Sequence, residues 1–330
     1  MNSSLTGCNF ISTQDWSIDE LNMLFALAQD LKQKKKEGVL TPLLTAKTLY
    51  MLFFDSSTRT RNSFETGMTQ LGGHGIFLSP DKMQLSHGES LKDTAQVLSR
   101  FGEAIAVRHC EYGKGNAYLN EIAANASVPV ISMQDDVYHP CQILADYLTI
   151  REKFGQNTSG LKIGVAWTSA PNYVRPLSVP QSLILMMPRF GLDVTLAHPP
   201  EFELMPEIIE RARANAREAG TSFEIVHAFD DAFRDADIVV PKSWGPLMHT
   251  QDQQEGLALI EKYPTWVCDQ RAMDLTNKDS IYMHPLPADR GREVTDEVID
   301  GPHSVVYDEA ENRLHVQKAL LSLVMGGVEG

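Results

Sequence analysis

Short apolar runs alternate with helical patterns along this chain, and the alternation constrains its fold more than any other feature. Alternation of this kind is typical of parallel sheets that helices cover on both faces. The first series predicts strands over 47–53, 75–79, 103–107 and 128–132, with helices near 60–72, 90–101, 114–125 and 140–153. The second predicts strands over 161–167, 193–198, 223–226, 237–241 and 280–284, with helices near 177–190, 204–219, 229–235 and 254–262.

A polar stretch at 154–160 separates the two series and is the predicted joint between two domains. We therefore expect the α/β class, with two doubly wound parallel-sheet domains, a cleft between them, and ligands at the carboxyl ends of the strands. The predicted domains are residues 1–153, 154–311 and a C-terminal helix in 312–330 that packs back on the first domain.

Composition excludes several classes of function. A net charge of −14 disfavours nucleic acid as a partner, although a local group of arginines can still bind a small anion. No apolar run approaches the length of a membrane span, so no membrane partner is expected. The four cysteines are scattered without a Cys-x-x-Cys pair, which predicts neither a metal cluster nor disulfides and suits reduced thiols in the cytoplasm.

The segment 54–72 joins a predicted strand to a predicted helix and carries the strongest chemical signal. The apolar run 49–54 breaks into hydroxyl-bearing residues, and Arg59 and Arg61 follow at the start of an amphipathic helical pattern. Unpaired backbone N–H groups and the helix dipole favour an anion there, and an arginine can grip phosphate oxygens with two hydrogen bonds. The segment predicts a phosphate site; the alternative is an ordinary capped helix with surface arginines.

A second group of polar residues follows a predicted strand. His139 and Gln142 lie three residues apart on the first turn of a helix, where both side chains can donate to a carbonyl or phosphoryl oxygen. Arg108 ends a strand at the same predicted sheet edge as the phosphate site. A packed capping histidine and a salt-bridge arginine are the alternatives for His139 and Arg108.

The third group is the loop 283–291, which again follows an apolar strand. Two prolines, Pro285 and Pro287, stiffen the loop and leave carbonyls such as that of Leu286 without local partners. A free carbonyl that faces a cleft can accept a hydrogen bond from an amine. The alternative is a rigid structural turn.

These three groups, in this order and spacing, resemble the aspartate/ornithine carbamoyltransferase family over nearly the whole chain. The residues that carry the resemblance are Ser57-Thr58-Arg59-Thr60-Arg61, His139-Pro140-x-Gln142 and His284-Pro285-Leu286-Pro287. The resemblance implies a homotrimer, or a multiple of trimers, that moves the carbamoyl group of carbamoyl phosphate to a small amino acid without a cofactor. The first domain would bind carbamoyl phosphate and the second the amine acceptor.

The resemblance also implies a role for each matching residue. The residues that would hold the phosphate are Ser57, Thr58, Arg59 and Thr60. The residues that would hold and polarise the carbamoyl group are Arg108, His139 and Gln142. These three residues and Arg59 are the predicted catalytic residues. Gln84 or His87 would reach into a neighbouring subunit, Leu286 would offer its carbonyl to the reacting nitrogen, and Arg313 would contact carbamoyl phosphate or the acceptor carboxylate. Other predicted substrate-binding residues are Trp167, Lys242, Ser243, Trp244, His284 and Pro285.

The acceptor half departs from the common patterns. Pro285 is typical of aspartate enzymes, whereas the tail 290–315 resembles ornithine enzymes. The segment 171–180 resembles the acetylornithine-type and less-characterised transcarbamylases, which predicts a trefoil knot in the second domain. Because Trp244 would narrow the acceptor space and Lys242 could pair with a second acidic group, we expect an acylated diamino acid to react better than free ornithine. The rival hypothesis is a catalytically silent relative that binds carbamoyl phosphate or phosphate.

Overall fold

The computed structural model describes residues 5–328 of the chain. The chain forms two compact units. One comprises the chain up to Ala145 together with the segment from Glu311 onward, and the other spans Asp146–Ala310. Both divisions fall inside long helices, whereas the sequence places the boundaries at 153 and 311.

The first unit contains a four-stranded sheet in the order β2-β1-β3-β4, with every neighbouring pair parallel. Its elements in chain order are α1 (Ile18–Lys36), β1 (Thr48–Phe53), α2 (Thr58–Gln70), β2 (His74–Leu78), α3 (Leu91–Leu98), β3 (Ala104–His109), α4 (Gly115–Asn125), β4 (Val130–Asp135) and the start of α5 (Pro140–Phe154). Ser17 begins α1 through a reciprocal capping box with Glu20. Leu52, Ile105 and Val107 pack with helix residues in one apolar cluster.

The second unit contains a five-stranded parallel sheet in the order β7-β6-β5-β8-β9. Its elements are β5 (Lys162–Trp167), α6 (Ser178–Met186), β6 (Asp193–Ala197), α7 (Pro206–Ala219), β7 (Phe223–Val226), β8 (Ile238–Lys242), α8 (Gln253–Glu261), α9 (Gln270–Met273), β9 (Ile281–Tyr282), α10 (Asp296–Ile299) and α11 (Val306–Val324), which continues into the first unit. The two parallel sheets confirm the predicted α/β class. The knot stays a prediction.

Several elements differ from their sequence-based bounds. The predicted helix 229–235 is only a 3₁₀ turn, Phe229–Ala232, which approaches β5 so closely that a Cβ on Gly164 would lie 1.8 Å from the Ala232 carbonyl oxygen. β4 continues to Asp135, three residues past the predicted end at 132, and β9 keeps two residues of the predicted 280–284. Within residues 5–328, no helix combines the length and apolarity that crossing a bilayer requires.

Candidate active site

The predicted phosphate site lies where β1 gives way to α2. Ser57 caps α2, because its hydroxyl accepts a hydrogen bond from the Thr60 N–H at 3.2 Å. Thr58 is exposed and Arg59 is half-buried. The first turn of a helix presents N–H groups that no intrahelical carbonyl satisfies, and the helix dipole adds positive potential. The start of α2 is therefore suited to bind an anion.

The charges of three arginines act on His139. Burial lowers the pKa of the His139 imidazole well below its ordinary value, and the charges of Arg313, Arg108 and Arg59 lower this pKa further. His139 is therefore neutral at pH 7, with one ring N–H available as a donor. Guanidinium groups in one neighbourhood repel one another unless an anion offsets their charge, so this cluster also favours a negatively charged ligand.

Arg313 connects α11 to α2 and α5. Its Nη1 donates to Gln142 Oε1 at 2.6 Å and its Nη2 donates to Thr60 Oγ1 at 2.8 Å. All three residues are buried, with 3% of Arg313 exposed. Arg313 thus holds two other predicted site residues, Gln142 and Thr60, in place. The predicted contact of Arg313 with a substrate stays a prediction.

Arg108 lies at a local irregularity of the sheet. The register between β3 and β4 shifts after Val107, and Arg108 then pairs with Gln134 rather than with the next residue in step. A bulge of this kind turns a side chain away from the regular pleat. The Arg108 guanidinium donates from Nη1 to the Gln134 side-chain oxygen, so Gln134 orients this arginine.

A buried carboxylate, Asp135, holds the loop that leads to His139. Its Oδ1 accepts hydrogen bonds from the N–H groups of Val137 and Tyr138 at 2.8 and 2.7 Å, and its Oδ2 accepts from the Ser132 hydroxyl at 2.9 Å. Burial raises the pKa of Asp135 to about 7, against the opposing effect of these donors. Asp135 was not predicted as a site residue, because the predicted strand ended at 132.

A cavity of about 550 Å³ opens at the start of α2. It is lined by Phe53, Phe54, Asp55, Ser56, Ser57, Thr58, Arg61, Asn62, Glu65, Phe77 and Ser79. Arg61 pairs with Glu65 at 2.9 Å, and its guanidinium lies 3.9 Å from the centre of the Phe77 ring. The two neighbouring arginines of the motif therefore differ. The charge of Arg59 lowers the pKa of His139, whereas Arg61 forms a surface ion pair with Glu65 along α2.

Gln84 and His87 lie in a short 3₁₀ turn that ends at Gly88. Both side chains are exposed, and no residue of this turn is buried. Their predicted role across a subunit interface stays a prediction.

Trp167 and Trp244 belong to the core of the second unit. Trp167 Nε1 donates to the Trp244 carbonyl at 2.8 Å, and Trp244 Nε1 donates to the Phe202 carbonyl at 2.8 Å. Trp167 is fully buried and packs on Phe202 and Trp266, with ring centroids 4.1 and 5.9 Å apart. Because 1% of Trp244 is exposed, neither ring offers a surface to a ligand. The expected narrowing of the acceptor space by Trp244 is therefore not observed.

Lys242 and Ser243 both contact the carboxylate of Glu293, a residue that no sequence motif indicated. Lys242 Nζ lies 2.9 Å from Glu293 Oε1, and the same oxygen accepts from the Ser243 N–H at 2.8 Å and the Ser243 hydroxyl at 2.6 Å. Burial would raise the pKa of Glu293, but Lys242 and His284 outweigh burial and the pKa falls well below its ordinary value. Burial lowers the pKa of Lys242 against the opposing effect of Glu293.

The predicted acceptor loop is anchored at His284. The His284 N–H donates to Glu309 Oε2 at 2.8 Å, and the Leu286 N–H donates to His284 Nδ1 at 2.9 Å. Leu286 has a φ of +52°, in the left-handed region that a leucine rarely adopts. Pro285 is buried between these two residues. The side chains of Glu309 and His284 thus fix the backbone of this loop on both sides of Pro285.

Comparison with known proteins gives matches over nearly the whole chain. Residues 8–152 match the family described as aspartate/ornithine carbamoyltransferase, carbamoyl-P binding domain. Residues 175–324 match the family described as aspartate/ornithine carbamoyltransferase, Asp/Orn binding domain. The two matches together cover the predicted phosphate site and the predicted acceptor loop.

Individual relatives give the same picture. An ornithine carbamoyltransferase of Halalkalibacterium halodurans is 42% identical over 324 residues, which cover 98% of this chain and 97% of the relative. The solved structure of the ornithine carbamoyltransferase from Pyrococcus furiosus is 39% identical, with a TM-score of 0.89 and 99% of both chains covered. A solved structure of acetylornithine transcarbamylase complexed with acetylcitrulline is 36% identical, with a TM-score of 0.89. The match covers 95% of this chain and 98% of the other.

Proposed function

The chain belongs to the aspartate/ornithine carbamoyltransferase family and is a carbamoyltransferase, and from this membership we propose that its acceptor is ornithine. In the proposed reaction the side-chain amine of ornithine takes the carbamoyl group of carbamoyl phosphate, which gives citrulline and phosphate. The first unit supplies the site for carbamoyl phosphate, and the second unit supplies the site for the amino acid.

The observation that carries this proposal is a buried His139 whose pKa is lowered by burial and by the charges of Arg313, Arg108 and Arg59, so that its imidazole is neutral. Carbamoyl phosphate presents a dianionic phosphate beside an uncharged carbonyl. The arginines and the start of α2 suit the phosphate, and a neutral imidazole can donate to the carbonyl oxygen without protonating the acceptor amine. Gln142 is held within this group by Arg313, at 2.6 Å.

The chemistry follows from these groups. The neutral amine attacks the carbamoyl carbon, and negative charge develops on the carbonyl oxygen, where donors from His139 and Arg108 stabilise it. The C–O bond to phosphate then breaks, and the arginines offset the charge on the departing phosphate. The attacking nitrogen must lose one proton, and the leaving phosphate is the base that takes it. No covalent intermediate with the protein forms, and none of these steps requires a metal or an organic cofactor.

Ornithine is preferred over an acylated diamino acid for two reasons. Trp244, the residue expected to narrow the acceptor space, has its ring buried in the core. The relatives named above at 42% and 39% identity are ornithine enzymes. An acylated ornithine stays the second candidate, because Lys242 stands near the acceptor loop and the acetylornithine enzyme has a TM-score of 0.89 to this chain.

A panel of acceptors tests the proposal. The purified protein is incubated with carbamoyl phosphate and, in separate reactions, with ornithine, N-acetylornithine or aspartate, and phosphate release and the carbamoylated product are both measured. We expect ornithine to give the highest kcat/KM. A higher value for N-acetylornithine would overturn the choice of acceptor. Binding of carbamoyl phosphate without turnover of any acceptor would favour the catalytically silent relative.

We also propose a cytoplasmic homotrimer in which Gln84 or His87 completes a neighbour's site. The exposed turn that carries both residues and the exposed apolar side chains of Val97 (43%) and Phe101 (69%) support an interface on this unit. Mixing Arg59→Ala subunits with Gln84→Ala subunits should restore part of the activity through hybrid sites. Subunits that demonstrably exchange without any recovery would argue against a shared site.

A further inference from the structure

Glu293 is a fully buried carboxylate whose two oxygens meet different segments of the second unit. Oε1 accepts from Lys242 and Ser243, as described above. Oε2 accepts from the Asp289 N–H at 2.8 Å and lies 3.3 Å from His284 Nε2. One side chain therefore connects the end of β8, the loop after β9 and the start of the turn at Asp289.

The contact with His284 extends to the backbone of Leu286. Since His284 Nδ1 accepts the Leu286 N–H at 2.9 Å, the imidazole proton is on Nε2, the nitrogen that faces Glu293. A carboxylate beside Nε2 favours this tautomer. Glu293 thus sets the ring that holds the Leu286 N–H, and with it the left-handed backbone conformation that directs the Leu286 carbonyl.

The same network fixes the segment after Lys242. The Gly245 N–H donates to the Arg175 carbonyl at 2.9 Å, and a Cβ on Gly245 would lie 1.9 Å from the Tyr173 carbonyl oxygen. Arg175 in turn pairs with Asp289, whose N–H bonds to Glu293. Buried hydrogen bonds and ion pairs that connect several segments in this way rigidify the structure around them.

We propose that Glu293 is the positioning residue of the acceptor site. It fixes the Lys242 ammonium and the Leu286 carbonyl at the same time, without touching a substrate itself. This inference rests on the proposed function, because it assigns the segments at Lys242 and Leu286 to binding the acceptor amino acid. It adds a residue that neither the motifs nor the family resemblance indicated.

The test compares Glu293→Gln with Glu297→Gln, an exposed glutamate in the same segment that serves as the matched control. Glutamine keeps the size of the side chain but removes the charge that pairs with Lys242. We expect the KM for ornithine to rise at least about tenfold, while the KM for carbamoyl phosphate changes less than about twofold, because a charged hydrogen bond is lost only in the acceptor segment. Glu297→Gln should match the parent in both constants.

A purely structural role predicts a different outcome. It would lower the melting temperature of Glu293→Gln while leaving both KM values of the folded fraction unchanged, and this result would overturn the proposal. Glu293→Asp keeps the charge and shortens the side chain, so it replaces Glu293→Gln if that variant does not fold. The same selective rise in the KM for ornithine is expected for Glu293→Asp.

A double-mutant cycle with Lys242→Met tests whether Glu293 acts through Lys242. If it does, the double variant should have a KM for ornithine close to that of Lys242→Met alone, because the two changes share one interaction. Simple multiplication of the two separate effects would refute positioning through this lysine.

Calorimetric titration with norvaline, which is ornithine without its terminal amine, separates failure of this inference from failure of the proposed function. In the presence of carbamoyl phosphate, the parent should bind norvaline and Glu293→Gln should bind it at least about tenfold more weakly. Equal binding by an active parent and by Glu293→Gln would overturn the inference alone. A parent that neither binds norvaline nor turns over ornithine would overturn both.

Discussion

Arg59→Ala should abolish tight binding of carbamoyl phosphate while leaving the fold intact. Arg59 is half-buried at the start of α2 and is not among the core residues, so truncating it leaves the apolar core in place. In the proposed site its guanidinium grips the phosphate with two charge-assisted hydrogen bonds. Each such bond contributes about 1.5–3 kcal/mol, so the loss is about 3–6 kcal/mol.

This free energy converts directly into affinity. At about 1.4 kcal/mol for each factor of ten, the dissociation constant should rise by roughly 10²- to 10⁴-fold. Because Arg59 is only half-buried, solvent weakens its contacts and the lower end of this range is expected. The same change removes one of the three positive charges that depress the pKa of His139, so that pKa should rise.

Calorimetric titration with carbamoyl phosphate is the assay, and Arg61→Ala is the matched control. Arg61 lies two residues further along the same helix, but its guanidinium is exposed and is already paired with Glu65 at 2.9 Å. Surface pairs of this kind contribute about 0–1 kcal/mol to stability, so Arg61→Ala should fold like the parent. Because Arg61 is not assigned to the phosphate, this variant should also keep nearly the parent affinity for carbamoyl phosphate. Unchanged affinity in Arg59→Ala, or equal losses in both variants, would refute the assignment of the phosphate site.

Three further predictions follow from the buried residues and the chain path. Trp167→Phe leaves the Trp244 carbonyl without its indole donor, which should lower the free energy of unfolding by about 1–3 kcal/mol. The KM for ornithine should not change, and a raised KM would show that Trp167 contributes to the acceptor site. Because the pKa of His139 is lowered on folding, the unfolded chain takes up a proton below about pH 6.5 that the folded chain does not, so the free energy of unfolding should fall between pH 6.5 and 5. Chemical denaturation should show a smaller fall for His139→Gln, and an identical fall would contradict the assignment. A crystal structure should show later chain threaded through 171–180, and a loop with nothing threaded through it would refute the knot.

Local sequence patterns predicted the sheets and the junction between β1 and α2 because their signals span few residues. A strand and its following helix differ in hydrophobic period, and a hydroxyl residue such as Ser57 marks the start of the helix between them. The helix predicted at 229–235 is wrong, because only the 3₁₀ turn Phe229–Ala232 forms there. There the close approach to Gly164, a tertiary contact, decides the structure.

Residues that act across long sequence distances could not be identified in this way. Arg313 donates to Thr60 and Gln142, which are 253 and 171 positions away, and no local pattern links them. Glu293 stands in a charged segment that looks like a solvated surface, yet it is fully buried and pairs with Lys242. An aromatic residue at the end of a strand, such as Trp167, fits a core or a pocket equally well by sequence. The observed hydrogen bond to the Trp244 carbonyl favours the core.

Transfer of an isotopic label tests the central claim most directly. The protein is incubated with ornithine and with carbamoyl phosphate that carries ¹³C in the carbamoyl group, and the products are quantified by mass spectrometry together with released phosphate. We expect the label in the ureido carbon of citrulline, with one phosphate released for each citrulline formed. Phosphate release at the spontaneous rate, with the label only in breakdown products of carbamoyl phosphate, would contradict carbamoyl transfer to ornithine.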